Sequence, residues 1–192
     1  MGKLRQDRQR ERELSVRRYE KHKRLNYLAK PGIHDFIIVL DNLKQAFNIG
    51  KIFRSADAFG AHEVHLIGIN YFDPAPAKGS FKWVPARFHD DFYSCYHTIA
   101  PRDYTFFVLD PEKGELIHDA VLPKRSAFIF GHEEFGFSFA PDSFANVKFL
   151  RVPQYGKVQS LNVSIAASIV MYEYTRCRQS AATPIESTCS IE

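Results

Sequence analysis

Cysteine is scarce in this sequence of 192 residues: Cys95, Cys177 and Cys189 are its only three. An odd number without paired spacing gives no disulfide framework and no zinc motif, and it suits a reducing compartment. No apolar run approaches the roughly 20 residues needed to cross a bilayer. The N-terminus is charged from Lys3 onward and has no apolar stretch, so no secretory signal is expected. Four acidic residues among the first thirty argue against an organelle leader. The cytoplasm is the expected location. Dinucleotide and nucleotide-triphosphate glycine fingerprints are absent, as is the Gly-x-Ser-x-Gly elbow of hydrolases.

The charge is unevenly placed. Residues 1–30 hold eleven Lys or Arg against Asp7, Glu11, Glu13 and Glu20, while the rest of the chain is mildly acidic. Residues 3–28 have high helix propensity and end at Lys30-Pro31-Gly32, which predicts a solvated or partner-induced helix over a basic arm of residues 1–32. Such a run is either a soluble face or an arm that neutralises phosphates. Arg8, Arg10, Arg12, Arg17, Arg18, Lys21, Lys23 and Arg24 are its candidate RNA contacts.

From Phe36 the pattern is that of an α/β protein with a mostly parallel sheet and flanking helices. Phe36 to Leu40 is a continuous apolar run, as expected of a strand covered on both faces. Ile49, Ile52, Phe53 and Ala56 follow at helical spacing up to Gly60, and Val64 to Gly68 is a second strand. This order predicts a parallel βαβ unit. Residues 70–83, with Pro74, Pro76 and Gly79, read as a long loop. A helix over 90–99 and strands over 104–109, 126–130 and 147–152 come next. A helix over 160–178 completes a domain of residues 33–179, and a disordered tail is expected over 180–192. The last helix is apolar nearly all round, which requires either deep burial or a homodimer interface.

Three segments carry the chemistry. In the first, Asn48 could cap a helix, Gly50 allows close packing, and Arg54 lies on another face from Ile49, Ile52 and Phe53. In the second, Gly131 and Gly136 bracket His132-Glu133-Glu134-Phe135 in a hairpin-like loop after a strand. The pair of glutamates has no histidine partners for a metal, so no metal is expected, and an ordinary turn with solvated carboxylates explains it equally. In the third, Ser160 is a plausible cap, whereas Asn162 would be a buried amide in need of partners.

The order of these segments resembles the SpoU, or TrmH-type, family of RNA 2′-O-ribose methyltransferases in the SPOUT superfamily. Asn48, Gly50, Arg54 and Gly60 match its first motif; Gly131, Glu133, Gly136 and Ser138 its second; Val152-Pro153 and Ser160-Leu161-Asn162 its third. Lys78-Gly79-Ser80 up to Trp83 is similar to a substrate-side loop, adding Lys78 and Lys82 as RNA contacts. The resemblance implies a C-terminal trefoil knot and catalysis at a homodimer interface. It also implies S-adenosyl-L-methionine as methyl donor, held around Leu109, Gly131, Val152, Ser160 and Leu161. Asn48, Arg54, Glu133, Ser160 and Asn162 would then serve catalysis. The implied substrate is RNA: tRNA, with rRNA or a silent RNA-binding role as alternatives.

Overall fold

The computed structural model describes residues 2–44 and 47–182. A long helix, α1 (Gly2–Asn26), precedes a parallel sheet of seven strands. These are β1 (Phe36–Asp41), β2 (Glu63–Ile67), β3 (Ala86–His89), β4 (Thr105–Leu109), β5 (Glu115–Leu116), β6 (Ser126–Phe130) and β7 (Val147–Arg151). Their spatial order is β3-β2-β1-β6-β4-β7-β5, with every pairing parallel. Helices α2 (Phe47–Ala58), α3 (Phe92–Ile99) and α4 (Val163–Ala182) complete the set.

The strands alternate their side chains between two cores. Ile38 and Leu40 of β1 join α2 and α4 on one face, whereas Ile37 and Val39 join Phe92, Cys95 and Ile99 of α3 on the other. Burial on both faces is why these strands read as unbroken apolar runs. Ile49, Ile52, Phe53 and Ala56 form the buried stripe of α2, as their spacing predicts. The helix stops at Gly60, whose φ of 63° is left-handed, with Ala61 N–H donating to Ala56 O and Gly60 N–H to Asp57 O.

Helix α1 is not wholly solvated. Tyr19 is buried against Tyr71, Phe72 and Phe81, at ring separations of 5.0, 5.4 and 5.6 Å, and its hydroxyl donates to Asn70 O. Ser15 Oγ–H donates to Asp73 Oδ1 at 2.8 Å and accepts from Tyr71 OH. Asn26 bonds Phe81 O, Val84 O and Ala86 N, so it holds the start of β3. Positions 15, 19, 22 and 26 share one helical face. Only one of them is a large apolar residue, which is why hydrophobic periodicity gave no sign of docking.

Helix α4 begins at Val163, three residues later than predicted, and continues to Ala182. The tail expected over 180–192 therefore starts inside a helix, and its residues 183–192, with Cys189, lie outside the described residues.

Candidate active site

A cavity of about 580 Å³ opens at the C-terminal ends of β4, β6 and β7. Open α/β sheets bind ligands at that edge, because loops diverge there where strand order reverses. All five residues expected to hold the donor line it: Leu109 after β4, Gly131 after β6, Val152 after β7, then Ser160 and Leu161 ahead of α4. Phe130, Val163 and Ala166 supply more apolar wall.

Gly131 and Gly136 close the second segment into a tight loop, with His132 N–H donating to Gly136 O at 2.7 Å and Gly136 N–H returning to His132 O at 2.9 Å. A Cβ on Gly131 would stand 2.7 Å from Gly136 O, so only glycine fits. The His132 Nδ1 acceptor receives the N–H groups of Glu134 and Phe135. Asp41, at the end of β1, accepts from Ser138 N–H and Oγ–H, both at 2.6 Å, and ties the far side of the loop to the sheet. Burial pushes the Asp41 carboxyl above the usual carboxylate range, and the two bonds from Ser138 oppose that rise.

At the mouth, the three segments meet through two amides. Asn48 Nδ2 donates to Glu133 Oε1 at 2.9 Å, and Asn162 Nδ2 donates to Asn48 Oδ1 at 3.2 Å. Asn162 Oδ1 is already taken by Ser164 N–H and Oγ–H. These contacts revise two sequence expectations. Asn48 does not cap α2; it lies within the helix and points across to Glu133. Asn162 is exposed, and it rather than Ser160 caps α4, because its carboxamide oxygen reaches the N–H two residues on. Ser160 remains in the cavity wall.

Arg54 is the exception. It lies six residues beyond Asn48 on α2, about 9 Å along the axis and roughly a third of a turn around it. It is exposed and is not part of the cavity wall of its own chain. Among the described residues, no hydrogen bond or ion pair ties Arg54 to the other two segments within one chain, and the buried stripe of α2 turns it outward.

The wall also holds residues that sequence reasoning missed. Asp110 and Glu112 line the cavity with Glu133 and with Glu134, the last paired with Lys44 at 2.6 Å; among the described residues no Lys or Arg is in the wall itself. Gln154 lines it too, and its Oε1 is buried without a hydrogen-bond partner. The only available signal was proximity to Val152-Pro153. The donor set fits S-adenosylmethionine on three counts. Acidic walls suit a ligand carrying sulfonium and ammonium charges and repel a phosphorylated nucleotide. The apolar walls suit an adenine ring, and Gln154 Oε1 is an acceptor that awaits an N–H donor.

Among the candidate RNA contacts, Arg10, Arg12, Arg17, Arg18, Lys21, Arg24 and Lys78 are exposed. Lys23 lies over the rings of Tyr19 and Phe88, and Lys82 over Trp83. The side chain of Arg8 lies outside the described residues. Among the described residues, no helix is long and apolar enough to cross a membrane.

The chain is similar to known proteins. The chain is 29% identical over 166 residues to a tRNA (guanosine(18)-2′-O)-methyltransferase of Thermus thermophilus, covering 84% of each. It is 28% identical over 148 residues to the 23S rRNA (guanosine-2′-O-)-methyltransferase RlmB of Bordetella pertussis, covering 74% of this chain and 60% of that one. Among solved structures, the A. aeolicus TrmH/SpoU tRNA modifying enzyme superposes with a TM-score of 0.70 at 26% identity, covering 84% of both chains. The model of the SpoU rRNA Methylase family matches residues 35–172, which span all three segments that meet at the cavity mouth, and the chain belongs to that family.

Proposed function

We propose that this protein transfers the methyl group of S-adenosylmethionine to a ribose 2′-hydroxyl of tRNA. The observation that carries the reading is the bond from Asn48 to Glu133 and the bond from Asn162 to Asn48. They join the first, second and third segments at the rim of the cavity that Asp110, Glu112 and Glu133 line.

S-adenosylmethionine supplies a methyl group already activated for displacement, so the protein need only align, desolvate and stabilise. Leu109, Val152 and Leu161 would enclose the adenine, with Gly131 allowing close backbone approach. Glu133 holds the Asn48 carboxamide, and Asn48 in turn holds Asn162, so the rim is rigid before substrate arrives. Arg54 carries a guanidinium, which offers hydrogen-bond donors and no acceptor. Its role is to bind the ribose-phosphate and stabilise developing negative charge, while substrate phosphate or water accepts the proton.

Because Arg54 faces away from its own cavity, the reading requires a homodimer in which α2 of one chain reaches the cavity of the other. Support comes from apolar residues left exposed on the adjoining helices: Phe47, Ile165 and Tyr172 are 62%, 52% and 56% exposed. Tyr172 meets Phe59 at 6.3 Å, so the patch bridges α2 and α4. The proposal includes the C-terminal knot. Its support is the match to the family model over residues 35–172.

Transfer RNA is proposed on the match to the Thermus tRNA-modifying relative, which aligns over 84% of both chains; other tRNA- and rRNA-modifying relatives are covered alike, to 66% and 68%. The outward face of α1, with Lys78 and Lys82 beside it, would track the phosphates. Incubation with unmodified total tRNA and rRNA plus labelled donor, followed by mapping of the methylated ribose, tests the assignment. Label in rRNA alone would overturn it. Arg54→Ala should abolish turnover while donor binding persists, and near-normal turnover would remove Arg54 from the mechanism.

A further inference from the structure

A second cluster of reactive side chains lies at the sheet edge on the α3 face, apart from the cavity. His65 is the middle residue of β2, His89 ends β3, and Cys95 is in α3. His65 Nδ1 is 2.9 Å from His89 Nε2 and 3.6 Å from Cys95 Sγ, and the three atoms all fall within 4.8 Å of one another. His65 and Cys95 are fully buried, and His89 is half-buried.

Behind His65 stands Glu63, whose Oε2 is 3.4 Å from His65 Nε2. Arg87 and Arg102 hold that carboxylate at 2.9 and 2.7 Å. His65 Nε2 makes no hydrogen bond, and the nearby carboxylate charge favours a proton on it, which leaves the Nδ1 lone pair facing His89 and Cys95. Metal-ligating histidines are disposed in the same way, with one nitrogen on the ion and the other toward a carboxylate. Without an ion, one lone pair must accept from both the His89 ring and the Cys95 thiol.

Distances favour a tetrahedral cation. Bonds of about 2.3 Å to sulfur and 2.0–2.1 Å to nitrogen put those two ligand atoms about 3.5 Å apart. The observed sulfur–nitrogen separation of 3.6 Å already matches. The two ring nitrogens must separate by roughly 0.4 Å, which a small rotation of half-buried His89 supplies. We propose that His65, His89 and Cys95 bind one thiophilic cation, zinc(II) or copper(I), that clips the β2–β3 edge to α3. Binding releases the Cys95 thiol proton to solvent, and the partly exposed His89 side is where a water would enter as fourth ligand. The clip would hold the end of β3, whose beginning is held by Asn26 of α1. The three ligands come from three elements, so no spacing motif in the sequence could announce them.

The test uses the full chain, stripped by chelator and titrated with cobalt(II), a spectroscopic stand-in for zinc. One equivalent should give the intense thiolate-to-cobalt absorption of a tetrahedral site, which zinc(II) then abolishes. Cys95→Ala should remove that absorption and weaken zinc binding by about 100-fold or more, whereas Cys177→Ala should change neither. Should Cys95→Ala fail to fold, His89→Gln, at the half-exposed end of β3, is read in its place. A parallel titration with copper(I) under reducing conditions identifies the preferred ion: tighter binding there, lost in the same variants, supports the site with copper as its ion. A folded wild-type chain that shows neither thiolate-to-cobalt absorption nor Cys95-dependent copper(I) binding at saturation would overturn the proposal. So would absorption that survives in both ligand variants.

Discussion

Replacing Tyr19 with alanine should release α1 from the body while leaving the sheet intact. Tyr19 is 2% exposed, contacts three aromatic rings and donates one hydrogen bond to Asn70 O. Removing the buried ring forfeits about 2–3 kcal/mol of apolar burial. The ring–ring contacts add about 0.5 kcal/mol or more each, and the hydroxyl bond about 1 kcal/mol. Together they reach about 4.5–5.5 kcal/mol, at the upper end of the roughly 3–5 kcal/mol measured for large aromatic truncations. The other ties of α1, through Ser15 and Asn26, are a few hydrogen bonds worth about 1 kcal/mol each. The loss is therefore comparable to everything else that holds the helix down. Amide hydrogen exchange resolved along the chain is the fitting assay. Amides over 15–26 should lose protection by roughly 100-fold or more, while those of β1 and β6 keep theirs. Tyr19→Phe, which forfeits only the hydroxyl bond, should lose about tenfold or less. Unchanged protection over 15–26 in Tyr19→Ala would refute the view that this ring docks the arm.

Two further expectations follow from the same coordinates. Gly131→Ala should weaken S-adenosylmethionine binding by an order of magnitude or more, since its Cβ would press on Gly136 O at 2.7 Å and distort the cavity wall; calorimetric titration giving wild-type affinity would contradict this. Burial, reinforced by Lys82, Arg18 and Lys21, lowers the His22 pKa, so the docked helix disfavours its charged form. Docking of α1 should be complete above the ordinary histidine range and weaken as pH falls through about 6.5 toward the lowered value, levelling below it. Exchange protection over 15–26, corrected for intrinsic rates, should show that trend in wild type and lose it in His22→Gln.

Local pattern was enough for much of the architecture. Strands such as β1 and β6 are apolar runs, and the buried stripe of α2 repeats at helical spacing, so both were legible residue by residue. Edge strands β3 (Ala86–His89) and β5 (Glu115–Leu116) were not, being short and mixed in polarity. They exist because a neighbouring strand offers its hydrogen bonds. The resemblance likewise names Leu109, Gly131, Val152, Ser160 and Leu161, and the fold brings all five to the wall of one cavity.

What the sequence determined by itself was which stretches become strands or helices and which polar residues sit at their junctions. Tertiary structure alone decided the partners. Asn48 finds Glu133 85 positions away and Asn162 114 positions away, while Arg54, on the same helix, is turned out of the cavity. Hydrogen bonds act over about 3 Å, whereas the periodicities in a sequence report only which way a side chain faces within its own element. Burial could therefore be foreseen, and the cap at Asn162, the docking of Tyr19 and the meeting of His65, His89 and Cys95 had to be seen.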